Sequence, residues 1–120
     1  MADDMVLFTR TYDLLQWLLP KTEQFPKAYR FTIGRRTADA ALDLQEKLLL
    51  AAKRSGAARR QLLQECDAHL DAIRLYLRLA LDWRWLNAGQ YEHASRLVAE
   101  VGRLLGGWLR QVKKEKAPRE

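Results

Sequence analysis

One cysteine, Cys66, is all the chain has, so no disulfide can form within it, and a reducing compartment suits it. Histidine is nearly as scarce. His69 and His93 are the only two, which leaves little for imidazole catalysis or a multi-histidine metal centre. Cys66 and His69 stand three apart and could share a metal, but Cys66 falls on an apolar stripe, where a lone cysteine is packing. Asp39 and Asp43 are one helical turn apart but have no partner set. The Glu-x-x-His pairs of bundle di-iron sites, a glycine-rich phosphate loop and a nucleophile motif are all missing. The reading is a non-enzyme with no cofactor and no metal.

Long hydrophobic runs are lacking too; the longest are a few residues, so no segment is suited to span a membrane. Asp3 and Asp4 stand where a signal peptide would have a basic region, and a cytoplasmic location is expected. Only three prolines and six glycines interrupt the 120 residues, while Leu, Ala, Arg, Glu, Gln and Lys dominate. That composition favours helices. The 48% of hydrophobic residues suffices for one small core.

Four segments carry a helical period. The first runs from about Asp4 to Leu19, with Leu7, Leu14, Leu15, Leu18 and Leu19 on one side. Pro20 is expected to end or kink it. In the second, Ile33, Thr37, Ala41, Leu44, Leu48 and Ala52 recur at three and four, with Lys53-Arg54 and Ser55-Gly56 as the stop. The third, from about Ala57 to Leu86, has a stripe of Leu62, Cys66, Leu70, Ile73, Leu77 and Leu81, and Asn87-Ala88-Gly89 is expected to close it. The fourth runs from about Gln90 to Lys114, with Ala94, Leu97, Val101, Leu104, Trp108 and Val112 inward. Short connections between four amphipathic helices predict an all-α, antiparallel up-down-up-down four-helix bundle over residues 1–114. Residues 115–120 are expected to form a charged flexible tail. On the third segment Leu75, Tyr76, Leu79, Trp83 and Leu86 fall on a second apolar face, expected to be a subunit interface.

Positive charge is the other excess. The net charge is +6, and 14 of the 21 cations are arginine. Arginine pairs bidentately with phosphate and stacks on bases, which favours a nucleic-acid partner. Arg96, Arg103 and Arg110 lie along one side of the fourth helix, in a stripe that with Lys114 extends about 27 Å. Glu92 and Glu100 can pair with Arg96 and Arg103, as Asp71 and Asp82 can with Arg74 and Arg78, so an ordinary solvated surface explains these stripes equally. The stretch "FPKAYRFTIGRR" differs. Lys27, Arg30, Arg35 and Arg36 crowd a helix start, where the dipole disfavours cations, with no carboxylate in the sequence until Asp39. An anionic partner accounts for that cluster. Gly34, costly within a helix by about 1 kcal/mol, predicts close approach of another backbone or a ligand.

The segment "LLQWLLPKTEQFPKAYRFTIGRR" resembles the start of the accessory variability determinant (Avd) proteins of diversity-generating retroelements. In that family a Trp-Leu-Leu-Pro-like helix end precedes Phe-Pro-Lys/Arg, then Arg-Phe/Tyr-Thr-Leu-Gly and a basic helix. Trp17, Pro20, Phe25, Pro26, Arg30, Phe31, Thr32 and Gly34 match that pattern. Related four-helix proteins encoded in ribosomal-RNA intervening sequences carry an Asn-Ile-Ala-Glu-Gly-like segment where this chain has "ADAALDLQEK", which favours the retroelement branch. The resemblance implies a non-enzymatic bundle assembling as a ring-like homopentamer. It further implies binding to the element's reverse transcriptase and its template RNA and cDNA, in support of error-prone cDNA synthesis. The competing reading is an oligomeric bundle that serves as an interaction scaffold without a nucleic-acid role.

Overall fold

A computed structural model describes residues 2–116, and side chains from Asp4 to Lys114. Its elements are α1 (Ala2–Thr22), a single turn α2 (Lys27–Tyr29), a π-helical turn (Arg30–Gly34), α3 (Arg35–Ala52), α4 (Gly56–Asp82) and α5 (Ala88–Lys116). No strand occurs among the described residues. The four long helices close a ring of neighbours: α1 packs on α3 and α5, and α4 packs on the same two. Cross-helix contacts fix their directions. Leu44 meets Cys66 while Ala51 meets Arg59, and Phe8 meets Trp108 while Trp17 meets His93. Both pairs of helices are therefore antiparallel, in a bundle 53 Å long. The core stripes lie close to the expected ones, with Leu63, Ala80, Val98 and Leu105 taking buried positions beside Cys66, Leu70, Ile73, Leu77, Ala94, Val101, Trp108 and Val112. Leu62, Leu97 and Leu104 are only partly buried.

The helix ends depart from the sequence reading in instructive ways. Pro20 lies inside α1 rather than ending it. A proline near a helix C-terminus removes one backbone bond while the next two residues still wind, and the Thr22 hydroxyl donates to the Leu19 carbonyl at 2.7 Å. Gly56 opens α4 with φ +57° instead of closing α3; the end of α3 is capped by Arg59, whose guanidinium donates to the carbonyls of Ala51 and Ala52. Asn87 likewise starts a helix. Its side-chain oxygen accepts from the Gln90 amide at 2.8 Å, and the Gln90 side chain accepts from the Asn87 amide at 2.9 Å, a reciprocal capping box. Residues 117–120, most of the expected tail, lie outside the described residues.

Gly34 meets backbone. A β-carbon there would sit 3.3 Å from the Thr22 carbonyl oxygen and 3.5 Å from the Phe25 ring. The π-helical turn thus lets α3 begin tight against the end of α1, with Phe25 locked between them and 1% exposed.

Candidate nucleic-acid interface

The α4–α5 connection and the α1–α2 turn meet at one end of the bundle. After Asp82 the chain makes a left-handed cap: the Arg84 amide bonds to the Leu81 carbonyl, and the Trp85 amide to that of Ala80 at 2.7 Å. This is the Schellman arrangement, which puts one residue at positive φ, and here it is Arg84 at φ 65°. Glycine is the usual occupant, because a β-carbon in this region costs about 1–2 kcal/mol. The cap turns Trp85 and Leu86 back onto the bundle. Trp85 stacks on Phe25 at 5.0 Å and on Tyr29 at 5.1 Å; Trp83 reaches Tyr29 at 5.4 Å and Trp85 at 5.3 Å. Four rings form one cluster, anchored by buried Phe25 and open outward through Trp83 (50% exposed) and Tyr29 (41%).

The candidate cations divide by partner. Lys27, Arg36 and Arg110 are exposed and make no ion pair among the described residues. Arg35 reaches Asp39 at 3.8 Å, so that carboxylate does serve the opening cluster. Arg30 departs from the expectation most. Its guanidinium is half-buried and donates to the Phe25 carbonyl at 3.3 Å, while its Nε is buried without a partner. It holds the turn as well as contributing charge, beside a cleft of about 380 Å³ that Glu23, Gly34, Arg35 and Asp39 help to line. Arg74 pairs with Asp71 at 2.7 Å, Arg78 with Asp82 at 3.2 Å, Arg96 with Glu92 at 3.4 Å and Arg103 with Glu100 at 2.9 Å. The Arg103 hydrogen bond holds the Glu100 carboxyl below the usual carboxylate range. Exposed pairs of this kind contribute about 0–1 kcal/mol, so a phosphate can compete for the arginine.

The expected subunit face is only partly available. Leu75 is exposed; Tyr76 and Leu79 are half-buried. Leu86 is in the chain's own core at 3% exposure, because α4 stops at Asp82 and the cap folds the following residues inward. Trp83 belongs to the aromatic cluster rather than to a continued helix face. Further exposed apolar side chains, Tyr12 on α1 and Leu42 and Leu49 on α3, were not legible as a face from the spacing.

Cys66 and His69 face different neighbours. The buried Cys66 thiol lies 3.7 Å from the Leu44 carbonyl, and burial pushes its pKa up to about 12, so it stays protonated. His69 Nε2 accepts from the Lys47 ammonium at 2.9 Å, and Lys47 also pairs with Glu65 at 3.2 Å. No trio of His, Cys, Asp or Glu among the described residues is arranged to hold a metal. Nor is any described helix long and apolar enough to cross a membrane.

The signal for the aromatic end was present in "DWRWLN": two tryptophans two apart cannot share a helix face, which points to a turn. That Trp85 would meet Phe25 and Tyr29 is a tertiary fact with no local trace. No curated protein matches the sequence. The model of one family, described as bAvd-like, matches residues 5–112, nearly the whole bundle. With that match, and with four helices in the order the segment around Phe25-Pro26 implied, the chain belongs to the bAvd-like family of accessory variability determinants.

Proposed function

We propose that the protein is a non-enzymatic accessory subunit of a diversity-generating retroelement, binding the element's reverse transcriptase and template RNA to support error-prone cDNA synthesis. The observation that carries this reading is membership of the bAvd-like family over residues 5–112. The unpaired cations Lys27 and Arg36 support it, since charge left without a carboxylate at a helix start is stabilised by an external anion. The working form is a homo-oligomer, a pentameric ring, in which copies of these cations act on one RNA. Leu75, with the half-buried Tyr76 and Leu79, is the proposed contact between subunits.

The scaffold reading also has an observation in its favour. Arg35, Arg74, Arg78, Arg96 and Arg103 each have a carboxylate on their own helix. Co-expression with a reverse transcriptase and repeat-flanked RNA encoded beside the gene separates the two. A complex that retains enzyme and RNA through tandem purification supports the accessory role. A chain that purifies as an RNA-free oligomer, from a locus without a reverse transcriptase, supports the scaffold.

A further inference from the structure

Three features coincide at the aromatic end of the bundle. Trp83 and Tyr29 turn ring surface outward while Trp85, itself seated on the buried Phe25, contacts both from behind. Lys27, two residues before Tyr29, and Arg84, between the two tryptophans, carry charge with no ion pair among the described residues. Arg84 does so at positive φ, where glycine would be relaxed, so this cation carries backbone strain. The nearest acid in sequence, Asp82, is engaged by Arg78.

We infer that Trp83 and Tyr29 form a stacking platform for an unpaired nucleobase of single-stranded RNA, with Lys27 and Arg84 taking the flanking phosphates. Aromatic faces bordered by cations are what single-strand binding requires: every base offers a π-face, and the backbone follows the charge. Charge disfavours a face-to-face contact between two copies at this end, since it would bring the second copy's Lys27 and Arg84 against the first pair. The interior of a duplex cannot use the platform, because its bases are already stacked and paired, and only its two ends present a free base face.

The inference rests on the proposed RNA binding, and its test separates the two. Binding of an unstructured single-stranded RNA and of a long duplex, in which interior sites far outnumber ends, is measured by anisotropy for the full chain and for Trp83→Ala, Trp83→Phe and Lys27→Ala/Arg84→Ala, with oligomer mass checked for each. Trp83→Ala is expected to lose about 5- to 150-fold in single-strand affinity, with its salt slope and duplex binding unchanged. Trp83→Phe recovers most of that loss, and the double cation variant lowers the salt slope. Wild-type single-strand affinity in Trp83→Ala overturns the platform while leaving RNA binding intact. So does equal loss on both RNAs with altered mass, which makes this end a protein contact. If the wild type binds neither RNA, the proposed function falls and the platform with it.

Discussion

Phe25 and Trp85, far apart in the chain, face each other with ring centroids 5.0 Å apart and planes tilted by 44°. This contact ties the α1–α2 turn to the α4–α5 connection and closes one end of the bundle. Phe25 is 1% exposed, so Phe25→Ala is expected to cost about 3–5 kcal/mol by urea denaturation. Trp83→Ala, at the cluster's open edge, should cost far less. Similar losses in the two variants would mean that the cluster is uniformly buried.

Arg84 occupies the left-handed position of the α4 cap. Arg84→Gly relieves that strain, partly offset by the greater freedom of glycine in the unfolded chain, for a net gain of up to about 1 kcal/mol. Thermal melts of the two proteins decide it. A destabilised glycine variant would show that the arginine side chain contributes to the fold.

Lys47 donates to His69, so Nε2 must be unprotonated. Burial first, then the Lys47 charge, lowers the His69 pKa from 6.5, with Asp43 and Glu65 opposing. A depressed folded-state pKa means that the unfolded chain binds the proton more readily. The contribution to stability is therefore full above pH 6.5 and is lost as pH falls through the lower folded-state value. Wild type should lose more stability than His69→Gln between about pH 7 and pH 5. Parallel stability curves over that range would contradict the Lys47–His69 contact.

If subunits meet through α4, Leu75→Glu should dissociate the assembly, since burying that side chain is worth on the order of 1.5–3 kcal/mol per subunit. Trp83→Ala should leave it whole. Native mass spectrometry giving a monomeric wild type at micromolar concentration would remove the ring from the account.

Periodicity revealed the helices and most of the core, because Cys66, Leu70, Ile73 and Leu77 can be buried together only on a helix. The cost of a mid-helix glycine pointed correctly to a close approach at Gly34. Helix ends were less legible. Pro20, Gly56 and Asn87 each have two local readings, and at Asn87 the reciprocal bonds with Gln90 choose the helix start. The charge map did not show the second role of Arg30, whose half-buried hydrogen bond to Phe25 depends on where the turn folds back. The pairs Arg96–Glu92 and Arg103–Glu100 were readable, being one turn apart on one helix. Lys47–His69 and the four-ring cluster were not, since each joins separate parts of the chain.

Salt titration of RNA binding tests most directly the claim that the chain holds an RNA backbone through cations its own fold leaves unpaired. The comparison is wild type, Lys27→Ala/Arg36→Ala/Arg110→Ala, and Arg74→Ala/Arg78→Ala/Arg96→Ala, each with its oligomeric state verified. The account predicts steep salt dependence in wild type, and a log–log slope reduced in the first variant by about 0.7 for each single-strand phosphate no longer neutralised. The second variant, whose arginines already have carboxylate partners, should change the slope less. An unchanged slope and affinity in the first variant, with its assembly intact, would contradict the claim.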